Sequence, residues 1–138
     1  MKKVFIDTNL WVRFFICDIK DQFEVTKKLL ENIEEGSFKA YTSTIVLLEL
    51  QFVLQRLYHL SFEGILDVFD IVRKTRNITI IEKTNFDLAL KFYQQHKIKF
   101  PDCLIASQLP KDATLISFDE ELGKISEVIT KKPQDLLN

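Results

Sequence analysis

Apolar and polar positions alternate along the chain in blocks that switch between strand-like and helix-like periods. Lys3–Ile6 reads as a short apolar strand, and Asn9 to Cys17 as a helical stretch. Asp21–Glu35 places Phe23, Leu29, Leu30 and Ile33 among charges, as an amphipathic helix does, and Gly36 stops it as a helix C-cap would. Lys39–Tyr41 reads as a second strand. Ser43 or Thr44 then caps a helix to about His59, with Ile45, Leu48, Phe52 and Leu57 near one stripe. A further helix starts at Ser61, has Glu63 in its first turn and ends near Thr75. The β-branched Asn77–Ile81 is a third strand. Thr84 caps a helix to His96, and Pro101 opens another up to Leu109. Ala113–Ser117 is a fourth strand, Asp119–Lys124 a turn of helix, and Glu127–Ile129 a candidate fifth strand.

Strands separated by helical crossovers predict an α/β fold: a mainly parallel sheet of about five strands with helices on both faces. No repeat or composition break divides the chain, so residues 1–138 are expected to form one domain. In open sheets of this kind ligands gather at the carboxyl ends of the strands, where strand order reverses. The residues just after each strand are therefore the ones that matter.

Composition narrows the class. Apolar residues make up 46% of the 138, twelve of them Phe, which is enough to fill a core; three Gly and three Pro are too few for a disordered protein. No apolar run approaches the ~20 residues of a membrane helix. The Met-Lys-Lys start enters a strand at once and has no export-signal pattern, which points to the cytoplasm. Cys17 and Cys103 fit no metal-ligand spacing and are expected to be buried thiols. A net charge of −1 excludes gripping nucleic acid by bulk electrostatics; such a substrate would need a local patch and a metal ion.

Four acids stand in unusual places. Asp7 directly follows the first strand, Asp119 comes two residues after the fourth, and Asp102 lies in the first turn of the helix opened by Pro101. Each alone has an ordinary reading as a turn former or cap. Glu49 does not, because it sits in Ile45-Val-Leu-Leu-Glu-Leu-Gln-Phe-Val-Leu54, apolar on nearly all sides, with no Arg or Lys three or four residues away. A buried lone carboxylate costs several kcal/mol unless a cation compensates it. Two carboxylates ~4 Å apart repel by roughly 4 kcal/mol at an effective dielectric of 20, so four converging acids require a cation between them. Oxygen ligands select Mg²⁺ or Mn²⁺, and with two His and no Cys pair a zinc site does not fit. A triad with His59 or His96 is disfavoured, since both lie at charged or amphipathic helix ends.

The same residues carry a family resemblance. Lys3-Val-Phe-Ile-Asp-Thr-Asn9 resembles the opening of PIN domains, Ser43-Thr-Ile-Val-Leu-Leu-Glu-Leu50 their second block, Asp102-Cys-Leu-Ile-Ala106 the third, and Leu115-Ile-Ser-Phe-Asp119 the fourth. The blocks occur in order from Val4 to about Leu136. The length and the closing Pro133-Gln-Asp-Leu-Leu137 are also similar to the VapC-like toxins of toxin–antitoxin pairs. The resemblance implies a three-layer PIN fold and a Mg²⁺- or Mn²⁺-dependent endoribonuclease. Asp7, Glu49, Asp102 and Asp119 would be the metal-holding catalytic acids, with Asn9 and Ser117 as supporting polar groups. It also implies a homodimer and a protein antitoxin. Ser117 stands where Thr is common, and Glu120 and Glu121 extend the acidic run, leaving open whether either assists. Arg13, Arg56 and Arg73-Lys74-Thr75-Arg76 are candidate phosphate contacts, the last run also reading as a solvated helix end.

Two other functions compete. A phosphatase with Asp7 as nucleophile, of the haloacid-dehalogenase kind, expects a second Asp two residues on, where this chain has Asn9. A PIN-like module that binds RNA or protein without cutting has no physical reason to keep four repelling carboxylates.

Overall fold

A computed structural model describes residues 1–137. Five parallel strands, β1 (Lys2–Ile6), β2 (Phe38–Ser43), β3 (Ile78–Ile81), β4 (Ala113–Ile116) and β5 (Thr130–Lys131), lie in the order β3-β2-β1-β4-β5. The chain steps from β1 to β2 to β3 in one direction, then returns past both to β4. Right-handed crossovers that advance in opposite directions place helices on opposite faces of the sheet, as the alternation of blocks predicts. The central strands are buried on both faces: Val4, Phe5, Ile6, Leu115 and Ile116 are wholly inaccessible. Strand order reverses between β1 and β4, whose register pairs Ile6 with Ile116. Asp7 and Ser117 are the next residues on either side of that switch point.

Among the described residues six α-helices connect the strands: α1 (Thr8–Ile16), α2 (Lys20–Glu34), α3 (Thr44–Arg56), α4 (Phe62–Lys74), α5 (Phe86–His96) and α6 (Phe100–Ser107). Gly36 follows α2 with φ +94°, the left-handed conformation glycine adopts without strain. The Ser43 hydroxyl caps α3 by accepting from Val46 N–H at 3.3 Å. Among the described residues no helix is long and apolar enough to cross a membrane.

Four local expectations need correction. The cap of α5 is Asn85, whose side chain accepts from Leu88 N–H at 3.1 Å, not Thr84. The fifth strand is Thr130–Lys131 rather than Glu127–Ile129, because Val128 closes a turn onto the Ile125 carbonyl and, of the three expected residues, Ile129 alone bonds to β4, its carbonyl accepting from Leu115 N–H at 2.8 Å. Cys17 is exposed, since it ends α1 in the left-handed conformation with φ +61°, while Cys103 is buried. Finally, α3 stops at Arg56 and turns Val46, Leu50 and Leu54 inward, leaving Leu48 and Phe52 more than 60% exposed. An apolar helix has two possible inward stripes, and the periodicity of this one did not distinguish them.

Candidate functional site

The four acids come from four separate segments, and all of them line one cleft of about 230 Å³ at the carboxyl ends of β1 and β4. Thr8, Asn9, Arg13 and Lys99 line the same cleft. It is not the largest hollow in the molecule. One of about 470 Å³ lies beside Leu88, Phe92 and Val128, and one of about 440 Å³ adjoins the cleft at Asp119, but neither gathers the four carboxylates.

Asp7 is 5% exposed. It precedes α1 at the N-cap position yet makes no capping bond through its side chain, so the ordinary reading as a cap does not apply. Its Oδ2 instead accepts from the Ser117 hydroxyl at 2.7 Å. That hydroxyl in turn accepts from Asn9 Nδ2 at 2.9 Å and from Asp119 N–H at 3.0 Å. A serine hydroxyl has one proton and two lone pairs, so all three are used. The Asn9 carbonyl oxygen accepts from Phe118 N–H at 3.0 Å. Asn9 and Ser117 thus fasten the end of β1 to the loop after β4. Beneath them, Trp11 Nε1 donates to Thr42 Oγ1 at 3.2 Å, and Thr42 donates to the Ile6 carbonyl at 3.1 Å.

Asp119 combines the two readings of its position. Its Oδ1 accepts from Glu121 N–H at 2.9 Å and opens the 3-10 turn Glu121–Lys124, while the residue still lines the cleft. Glu120 and Glu121 are exposed and do not line it; Glu120 lies 3.3 Å from Lys132 Nζ. Asp102 is the third residue of α6, 6% exposed, and Lys99 is the N-cap. Glu49 is only partly buried, not enclosed as the apolar neighbours in sequence suggest, because Leu48 on its flank faces outward. Its Oε1 accepts from the Thr8 hydroxyl at 3.0 Å. Thr8 and Lys99 were missed by reasoning from sequence. The signal for Thr8 was its place inside Asp7-Thr-Asn9, and that for Lys99 its place three residues before Asp102.

The carboxylates feel their surroundings. Burial raises the Asp7 carboxyl above its ordinary range, against the Ser117 hydrogen bond, and the Asp119 charge adds to the rise. Burial raises Glu49 as well, opposed by Thr8 and reinforced by Asp7. Asp102 is pushed up to about 7, first by burial and then by the charges of Asp7, Glu49 and Asp119, with Lys99 opposing. A cation among these acids would relieve all three.

The donors around the cleft are all oxygen, which suits a hard divalent ion. Among the described residues no three His, Cys, Asp or Glu side chains lie close enough together to hold a metal ion directly. Open carboxylate walls fit an ion such as Mg²⁺, which keeps several waters and takes few protein ligands.

A model of the PIN domain matches residues 4–128. The chain belongs to this family. The match spans all four acids, and PIN domains are typically nucleases. No curated protein matches the chain. Among solved structures, this PIN domain is similar to VapBC2 from Rickettsia felis bound to a DNA fragment from its promoter, with 22% identity and a TM-score of 0.69 over 94% of this chain and 98% of that one. It is also similar to PAE2754 from Pyrobaculum aerophilum, with 16% identity and a TM-score of 0.66 over 99% of this chain and 87% of that one. At these identities the likeness establishes the fold.

Proposed function

We propose that residues 1–138 form a single PIN domain acting in the cytoplasm as a Mg²⁺- or Mn²⁺-dependent endoribonuclease, the toxin of a VapBC-type pair. The observation that carries this reading is the convergence of Asp7, Glu49, Asp102 and Asp119 on one cleft at the switch point of the sheet. These four would hold the ion. A divalent cation there supplies Lewis acidity toward a phosphate oxygen and lowers the pKa of water for in-line attack on phosphorus. The chain's own part is placement. Ser117 and Asn9 fix Asp7 and the Asp119 loop, Thr8 orients Glu49, and α6 presents Asp102 from its first turn.

The likeness to VapBC2 supports a protein antitoxin as partner. The exposed Leu48, Phe52 and Leu57 support a second copy of this chain against α3, since aromatic and aliphatic side chains in a row suit a protein surface rather than RNA. Sedimentation equilibrium of Phe52→Glu should shift a wild-type dimer to monomer, and an unshifted dimer removes α3 from the interface.

The deciding experiment is expression of wild type and Asp7→Asn in a bacterial host, with mapping of new RNA 5′ ends. New ends at defined sites with wild type alone support the nuclease. Identical end profiles, together with no cleavage by the purified protein in Mg²⁺ or Mn²⁺, refute it.

A further inference from the structure

Four carboxylates around one divalent cation leave the cleft negative, and the chain as a whole carries −1, so a phosphodiester approaching it meets repulsion. The cations suggested by the sequence are engaged elsewhere. Arg13 lines the cleft but lies 2.6 Å from Asp18 Oδ1. Arg56 stands 5.7 Å over the Phe52 ring. Arg73 and Lys74 both reach Asp70, at 2.6 and 2.7 Å, and Arg76 lies 3.7 Å from Glu34.

Lys99 differs from all of these. It lines the acid cleft and is exposed, and among the described residues its ammonium comes within 4.0 Å of no carboxylate. Its charge is nonetheless felt at Asp7, Glu49 and Asp102. Its backbone is anchored, because its carbonyl accepts from Asp102 N–H at 3.1 Å and from Cys103 N–H at 3.3 Å. Its position is also one that stability alone disfavours, since a cation at the N-terminus of a helix opposes the macrodipole. A lysine that served only to neutralise the acids would close onto one of them.

We propose that Lys99 binds the substrate phosphate, its ammonium contacting a non-bridging oxygen of the RNA backbone at the mouth of the carboxylate cleft. This assignment rests on the nuclease reading and names the residue through which a negative cleft accepts a negative substrate. Lys99 holds the strand; it transfers no proton and forms no bond.

The test compares wild type, Lys99→Gln and Lys99→Arg on a 5′-labelled single-stranded RNA twelve nucleotides long, with Mg²⁺ and a series of salt concentrations. Neutralising Lys99 should raise KM about tenfold while kcat stays within about twofold, the size of one charged hydrogen bond. The slope of log(kcat/KM) against log salt should flatten by about 0.7, one phosphate contact on a single strand. Lys99→Arg should restore both. Mn²⁺ binding without RNA should tighten in Lys99→Gln, because a cation has left the neighbourhood of the acids; a merely structural lysine would lower thermal stability and weaken the metal instead. Wild-type KM and salt slope in a Lys99→Gln protein that still cleaves RNA overturn the assignment and leave the nuclease reading intact. A wild-type protein that cleaves no RNA overturns both.

Discussion

The two halves of the carboxylate cleft are held by different means. On the side of β1 and β4, Asp7 is buried and locked by Ser117, which also fixes Asn9 and the backbone of Asp119, so that one hydroxyl uses every hydrogen bond it can make. On the side of α3 and α6, Glu49 is partly exposed with a single hydroxyl donor, and Asp102, though buried, accepts no side-chain hydrogen bond among the described residues. The first half is preorganised by the sheet. The second is set by helices that pack on it, and Glu49, partly open to water, is the carboxylate there with freedom to follow an ion. An open metal site benefits from both: fixed ligands choose the place, and looser ones admit the substrate.

The largest effect expected from breaking the fixed half comes from Asp7→Asn. The amide still accepts from Ser117 but carries no charge. RNA cleavage should fall by on the order of a thousandfold. Because burial already disfavours the Asp7 carboxylate, metal-free Asp7→Asn should melt about 2–5 °C higher than metal-free wild type. Loss of cleavage joined to a lower melting temperature would mean that Asp7 stabilises the fold and that its charge is not held there for an ion.

Ser117→Ala should come next. It strips Asp7, Asn9 and Asp119 of a shared partner at once, and the loss of such outer contacts costs about 10–100-fold in metal affinity or activity. Ser117→Thr keeps the hydroxyl and should retain most of the activity. Equal losses in the two variants would show that the volume at this position matters, and the hydroxyl does not.

The sheet and the acids were legible in the sequence for related reasons. A strand buried on both faces has to be apolar, so Val4-Phe5-Ile6 and Leu115-Ile116 announce themselves, and a charge just beyond either stands out. That ground puts Asp7 and Asp119 just beyond β1 and β4, while a shared role for them came only from the four acids together and the family resemblance. The α3 stripe could not be placed, because Val46, Leu50 and Leu54 repeat every four residues just as Leu48 and Phe52 do, and only the direction of Glu49 toward the cleft distinguishes the two. The fifth strand was misplaced because Val128 and Ile129 have the residue types of a strand, whereas pairing is decided by what the β4 edge offers. For Thr8 the place inside Asp7-Thr-Asn9 was a signal, but its partner was not legible, because its bond to Glu49 crosses 41 positions and exists only after packing.

The looser half should respond to pH. A carboxyl raised to about 7 in the folded chain, from an ordinary value of 3.8, binds more protons folded than unfolded between those limits. The stability it contributes is therefore greatest below the unfolded value and is lost as pH climbs through the folded one. Metal-free protein should thus become less stable from about pH 4 to pH 7. Mn²⁺ affinity should rise over the upper part of that range, by up to about tenfold per pH unit, as the ion displaces the Asp102 proton. Asp7 and Glu49 are shifted in the same direction and add to the trend. Asp102→Asn should flatten it. Calorimetry in two buffers of different ionisation enthalpy checks the proton release, and its absence at pH 6 would place Asp102 outside the ion's reach.

The smallest effect expected belongs to Thr8→Val. The side chain keeps its shape and loses only the hydroxyl that Glu49 accepts from at 3.0 Å. Glu49 is partly open to water, which can replace the lost donor, so the fold should lose no more than about 1 kcal/mol. Activity should fall about threefold, the equivalent of roughly 0.7 kcal/mol in orienting one carboxylate. The informative quantity is the double variant with Ser117→Ala. If the two halves act independently, the losses multiply; if Thr8 and Ser117 hold one rigid constellation, the second substitution costs much less than it does alone. Multiplicative losses would support a cleft with one fixed and one adjustable wall, and a strongly sub-multiplicative result would show that the partly exposed Glu49 is as tightly preorganised as Asp7.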